Sequence, residues 1–430
     1  MKKTIIYGML ACTLGAASSL QGVAQPQTYT LQQCREMALQ QNARVKNAGN
    51  DLKGAAERRK EAFTAYFPTV SASGMGLAAN KDLVELSLAP GMEMGMLKNG
   101  ILGSVTAVQP VFAGGQVVNG NKLAHVGEEV GRLQLEQARN EVRITSDRYF
   151  WQVVVLQEKL KTVQTVDTLL QHLCKDVEAA VQAGMTTRND LLEVQLRQNE
   201  IESTRITLES GIAVSKMLLA QYIGADTTGF RLAEQIPMGS MPERPEALYR
   251  DPSEALGATP EYRLLSKNVE AGRLQQKLAV GKNLPSVGVG ASYFYHDFLG
   301  SGMSRGVLFA SVSVPLSGWW GGSHAIKQRK LQVLNAENDL TDKSQLLVVR
   351  MQKAWSDVED AYRQVDIARK SIEQATENLR LNSSYYRAGT ITMGDLLQAQ
   401  TLYRQSLDGY VDAYSAYRIK TAEYLQATGR

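Results

Sequence analysis

The chain has 430 residues, of which 44% are hydrophobic and 21% charged. That composition excludes a disordered chain and supports a large buried core. The formal charge is +4, two units of it from Lys2 and Lys3 at the start, too small an excess for a nucleic-acid binder.

Residues 1–24 read as a secretory leader. Lys2 and Lys3 form its basic end, Ile5 to Leu14 its short apolar core, and Gly22-Val23-Ala24 a small-residue cleavage site. The rival reading is a lipoprotein leader ending at Leu10-Ala11 before Cys12. Both take the chain out of the cytoplasm. After residue 24 no apolar stretch approaches the ~18 residues of a spanning helix, so any membrane crossing must use a β-barrel. Cys34 and Cys174 remain. They could pair in an oxidising compartment, but two small buried hydrophobes is the better reading.

The pattern then predicts helix, strand, strand, long helix, helix. The first helix covers about Thr30 to Ala65 and stops before Phe67-Pro68. Alternating stretches at about 69–79 and 101–111 read as strands of transmembrane length. A proline-free tract predicts a long helix over about 113–183, roughly 100 Å at 1.5 Å per residue, and a return helix over about 188–223. Residues 25–236 form this first repeat. A linker at 237–252 follows, and Pro237, Pro242, Pro245, Pro252 and Pro260 crowd the seam.

Residues 253–430 repeat the plan, with a helix to about Lys282, strands at about 286–295 and 306–316, a long helix at about 322–387 and a return helix at about 394–428. Val358, Tyr362, Val365, Ala368, Ile372, Ala375 and Leu379 give the long helix a coiled-coil seam. Tyr403, Tyr410, Tyr414, Tyr417 and Tyr424 on the return helix read as packing residues with hydroxyls at the edge.

The duplication is explicit. Pro110 and Pro315, Gly184 and Gly389, Asp190 and Asp395, and Gly224 and Gly429 are all spaced by 205 residues. Asn42 and Thr259, and Pro68 and Pro285, are spaced by 217. Copy two therefore lacks twelve residues between its strands, as a hairpin loop of different length allows. Gly114-Gly115 and Gly321-Gly322 read as strand-to-helix junctions.

Four strands per chain cannot close a barrel, since the smallest have eight, and open edges in lipid leave backbone groups unpaired. Several chains must share one barrel, and periodicity alone does not give their number.

The paired repeat, Gln109-Pro110-Val111-Phe112 with Gly114-Gly115, and Tyr386-Arg387-Ala388-Gly389-Thr390 followed by Asp395-Leu396-Leu397 resemble the outer membrane efflux protein family typified by TolC. The resemblance spans nearly the whole mature chain. It implies a mainly α fold with a transmembrane β-barrel portion: a homotrimer with a 12-stranded barrel on a 12-helix periplasmic tube, set in outer-membrane lipid. It also implies a periplasmic adaptor and an inner-membrane pump of RND or ABC type as partners, with neither cofactor nor nucleic acid. By carry-over, Gly184, Met185, Gly389 and Thr390 are the adaptor-docking tip, and Asp395, Asp190, Tyr386, Arg387 and Gln398 the gate. Gln398 stands where a second gate acid is expected, and Ile391 where a gate arginine is.

A ring of Asp395 carboxylates, with Asp190 nearby, would favour cations; equally, both acids suit the N-termini of the return helices. Phe112, Trp319 and Trp320 suit a membrane-interface girdle, with corner packing as the alternative for neighbouring Tyr66 and Phe67. Met92, Met94 and Met96 alternate in the first inter-strand loop, where packing is the expected role and Cu(I) or Ag(I) contact the sharper one.

The functional reading is a passive duct exporting small molecules, with protein secretion or heavy-metal efflux as alternatives. A coiled-coil surface protein would need no strand pairs, and an adaptor subunit would not double the helical tracts. The histidines His125, His172, His296 and His324 are scattered without HExxH spacing, and no enzyme is expected.

Overall fold

The computed structural model describes residues 27–430 except 82, 90–91, 97, 226–228, 298–301 and 317. The leader and Cys12 lie outside the described residues. A two-residue strand β1 (Thr28–Tyr29) leads into α1 (Leu31–Gln41) and α2 (Ala43–Thr64). Strands β2 (Thr69–Ala78), β3 (Val84–Ala89), β4 (Met92–Met96) and β5 (Asn99–Ala113) precede the long helix α3 (Gln116–Gln182) and return helix α4 (Arg188–Ile223). After β6 (Arg231–Leu232) and α5 (Pro252–Ala255), the second copy supplies α6 (Pro260–Gly281), β7 (Ser286–Asp297), β8 (Met303–Ser313), α7 (Gly318–Arg387) and α8 (Met393–Ala427). The long helices have 67 and 70 residues, on the order of 100 Å each. Among the described residues no helix is long and apolar enough to cross a membrane.

The expected first helix is two helices. Asn42 leaves helical geometry, with φ −63° and ψ 130°, and its side chain accepts from the Arg44 N–H, so it caps the start of α2. Thr259 does the same for α6, which shortens the expected helix of copy two. The left-handed glycines that follow the return helices mirror this. Gly224 (φ +70°) sits against Gln41, and Gly429 (φ +75°) against Ala258, each just before the capping residue. A Cβ on Gly224 would come 2.8 Å from Gln41 Cβ, so left-handed backbone and close approach both require glycine there.

The four long strands form one antiparallel sheet in the order β2-β5-β7-β8. The central β5–β7 pair joins the two copies. Pro110 is tolerated in β5 because a bulge lies between Pro110 and Phe112. Copy two has no such device, and β8 ends at Ser313, before Pro315, rather than running to about 316. The longer loop of copy one is itself a hairpin, β3 paired with β4. Met92, Met94 and Met96 lie on β4; their side-chain environment is outside the described residues.

The junction glycines also differ from expectation. Gly114 (φ +58°) and Gly115 (φ +75°) make the turn from β5 into α3. Gly321 and Gly322 instead lie inside α7, which starts at Gly318. At Gly322 the absent side chain admits Asn283, whose Oδ1 would be 1.9 Å from a Cβ.

At mid-height, α1 and the linker pack on all four long helices around Phe150, Trp151, Val358 and Val365. Tyr362, Ala368 and Ile372 of the α7 seam join that core. The tyrosines do more than pack. Tyr410 Oη donates to the carbonyls of Pro237 (3.0 Å) and Ser240, Tyr417 Oη donates to Glu243 O (2.6 Å), and Tyr424 Oη accepts from Arg250 N–H (2.9 Å). Spaced by seven residues, they hold the Pro-rich linker along one face of α8. Each bond is worth about 1 kcal/mol net. Beside them Arg35 grips the buried Asp147 bidentately, at 2.7 and 2.6 Å. Cys34 and Cys174 are both free. Burial pushes the Cys34 thiol up to about 12, with Glu234 and Asp147 adding to the shift.

Candidate functional site

Two regions carry the chemistry expected of a channel. At the far end of the helices, α3 and α7 each stop at a left-handed glycine, Gly184 and Gly389, both at φ +72°. Met185 N–H reaches back to Ala180 O (2.8 Å) and Thr390 N–H to Tyr385 O (3.0 Å), which satisfies the last carbonyls of each helix. A Cβ at either glycine would meet nothing within 4 Å, so the turn geometry alone selects glycine. Met185 is 82% exposed at the apex.

The return helices begin at Thr187 and Thr392, whose hydroxyls accept from the N–H of Asp190 and Asp395. Asp395 closes a full capping box, its carboxylate accepting from Thr392 N–H (3.0 Å) and Oγ1–H (2.7 Å). These bonds hold the exposed Asp395 carboxyl below the usual Asp range, so it is charged at neutral pH. The stability it lends is complete above that range and is lost only as pH falls through it. Asp190 accepts from Thr187 Oγ1 (3.0 Å) and from Thr186.

The tip unites some of the expected residues and leaves others apart. Tyr386 of α7 is half-buried beside Thr186 and Asp190; burial, aided by the Asp190 charge, raises its hydroxyl above the ordinary tyrosine value. Asp190 and Tyr386, from different copies, thus lie close together, with Thr186 bonded to Asp190 beside them. Leu396 and Met393 of α8 share one apolar cluster with Val194 and Ile201 of α4. Asp395 bonds only within its own turn. Arg387 and Gln398 are exposed, and their side chains form no hydrogen bond or ion pair among the described residues.

At the opposite end the sheet is two-faced. The pairing register places Val70, Val105, Ala107, Val289, Tyr293, Tyr295, Leu308 and Val312 on one face. The other carries the hydroxyls Ser71, Ser73, Ser104, Thr106, Ser292 and Ser311, interspersed with Met75, Leu102, Val108, Val307 and Phe309. On that second face Ser73 bonds Ser104 at 2.8 Å and Thr106 bonds Ser292 at 2.9 Å. The apolar face has no cover within the chain, and Leu308 is 86% exposed. Phe112 shares it at the helix end through its partner Val287, while Tyr293 and Tyr295 occupy its far end. Trp320 is 81% exposed in the first turn of α7; Trp319 shares that turn, its side chain lying outside the described set.

Both ends define a class: strands with one lipid-compatible face, carried on helices long enough to bridge a periplasm. Residues 252–430 match the family model of the outer membrane efflux protein. No curated protein matches the chain by sequence. Among solved structures, the outer membrane protein VceC from Vibrio cholerae has a TM-score of 0.79 at 16% identity, over 93% of this chain and 96% of that one. The CmeC outer membrane channel of Campylobacter jejuni gives 0.78 at 14%, over 93% and 85%. CusC, solved in a study of transmembrane channel formation, gives 0.78 at 12%, over 93% and 92%. At such identities the likeness shows the fold.

The second repeat thus matches the outer membrane efflux protein model, and the whole chain has the fold of outer-membrane proteins such as VceC and CmeC.

Proposed function

We propose that three copies of this chain close a 12-stranded barrel and a 12-helix tube, forming the passive exit duct of a tripartite export system for small molecules. The observation behind this is the four-stranded sheet, with β2 and β8 as open edges and one bare apolar face. Unpaired edges are intolerable in lipid, and identical copies supply the missing neighbours with closed symmetry. Purified outer membranes run unheated on a denaturing gel should give a heat-modifiable trimer band. A band at monomer position without heating would count against it.

The tip serves as gate and adaptor contact in this reading, through Gly184, Met185, Gly389 and Thr390. Asp395 and Asp190 line the narrowing axis while capping their helices, so the two roles coexist. Tyr386 packs where the two copies meet, and Arg387 and Gln398 stay free for a neighbouring copy or the adaptor. Phe112, Trp319 and Trp320 mark the inner membrane interface. Tyr293 and Tyr295 mark the outer one, the latter eight residues beyond Val287, or roughly 26 Å of strand. At a ~40° tilt this is about 20 Å of membrane depth, near the ~25 Å apolar band of such barrels. An adaptor and an inner-membrane pump of RND or ABC type complete the system. Growth of a deletion strain on drugs, bile salts, copper and silver identifies the cargo; sensitivity to metals alone would replace small-molecule export by metal efflux.

A further inference from the structure

Arg305 is the one Lys or Arg within β2, β5, β7 and β8. Its register partner is Phe294, and His296 pairs with Met303, all on the hydroxyl-rich face. Phe294 and His296 stack, with centroids 6.2 Å apart and planes at 20°. Arg305 is exposed and makes no ion pair among the described residues. The acid of these strands, Asp297, pairs with Ile101 and so belongs to the opposite face. A guanidinium is strongly disfavoured against lipid but tolerated in a barrel lumen, which agrees with the hydroxyls in assigning this face to the interior.

We propose that Arg305 from three copies, each flanked by a Phe294–His296 stack, forms a basic aromatic ring near the outer mouth that draws anionic solutes, aromatic carboxylates and sulfonates above all. The inference rests on the trimeric reading. A 12-stranded barrel has a radius of roughly 12 Å from the ~4.8 Å strand spacing and ~40° tilt. Side chains as long as arginine bring three charges within about one Debye length, ~8 Å, of the axis. Planar guanidinium suits carboxylate and sulfonate, and the adjoining rings suit the aromatic portion. The sign is opposite to that of Asp190 and Asp395, so the duct carries opposed charge rings at its two ends.

The test uses the full-length trimer purified in detergent, in a Cys174→Ser background, with Thr106→Cys as a reporter on the hydroxyl-rich face and Val105→Cys on the apolar one. Each is modified with a negatively and a positively charged methanethiosulfonate. The ratio of anionic to cationic rates at Thr106→Cys should fall about three- to tenfold at low salt on Arg305→Gln, and further on Arg305→Glu. Val105→Cys should react with neither reagent. A reactive Thr106→Cys whose ratio ignores Arg305 overturns the ring and leaves the channel standing. Reaction at Val105→Cys in place of Thr106→Cys overturns the face assignment and the ring together. Failure to purify a trimer overturns the reading on which both rest.

Discussion

The two copies share a plan but finish their outer surfaces differently. On α8, Tyr410, Tyr417 and Tyr424 hold the linker by their hydroxyls. The equivalent α4 positions, 205 residues earlier, are Arg205, Ile212 and Leu219; only the last is buried, and no row of tyrosine hydroxyls ties the linker to α4. Leu196, Ile206, Val214 and Leu218 are each about half exposed or more. One return helix is satisfied within its own chain, while the other presents apolar side chains for which the chain has no partner. A duplicated sequence thus yields a protomer with one finished flank and one that needs a neighbour.

The largest expected effect breaks the contrast between the faces of β8. Leu308→Arg puts a charge on the bare apolar face and should cost about 2–4 kcal/mol per copy near the bilayer midplane. Val307→Arg, on the hydroxyl-rich face one residue away, should be tolerated. Yield of the heat-modifiable band from membranes checks both. Loss of the band with Val307→Arg and its survival with Leu308→Arg would invert the faces.

Next is a contrast at the first helices. Copy one seals α1 onto α3 with the Arg35–Asp147 pair; copy two has Pro252 and Gln352 at the matching positions. Arg35→Ala leaves Asp147 buried and uncompensated, at about 3–5 kcal/mol. Gln352→Ala, on an exposed position, should shift stability by no more than about 0.5 kcal/mol. Thermal melting of the detergent-solubilised protein separates them.

The junction glycines give the third. A Cβ on Gly114 would lie 2.2 Å from Gly281 O with φ at +58°, so Gly114→Ala should cost at least about 1–3 kcal/mol. Gly321, in helix with nothing within 4 Å, should accept alanine with a gain of about 0.5–1 kcal/mol. The same melts decide.

The smallest effects sharpen the comparison of return helices. Tyr410→Phe, Tyr417→Phe and Tyr424→Phe should each cost about 1 kcal/mol, and together expose the linker at 237–250 to limited proteolysis. Ile212→Tyr on α4 should leave the cleavage pattern unchanged.

Much of this was legible because it is periodic. The 205-residue echo of Pro110, Gly184, Asp190 and Gly224 located the strand ends, both tips and the return helices, and the Val287-to-Tyr295 alternation announced a two-faced strand. Features that depend on long-range contact were not. Asn42 and Thr259-Pro260 are cap-type residues that mark the break in each copy, but the packing of Gly224 and Gly429 against the residues just before them carries no local signal. The Gly321-Gly322 pair copies Gly114-Gly115 in type but not in conformation, since only Gly114 faces the Gly281 backbone. Tyr386 was named for the tip, whereas its neighbour Thr186 belongs to the other copy and carries no local signal. The tyrosine spacing was plain, but the carbonyls its hydroxyls meet lie some 170 residues away.

The claim beneath all of this is that several identical chains complete one barrel. Light scattering of the protein eluting from a sizing column in detergent, corrected for bound detergent, tests it most directly. The account predicts a protein mass three times that of one mature chain, collapsing to a single chain on heating. A stable single-chain mass, soluble without detergent, would contradict it.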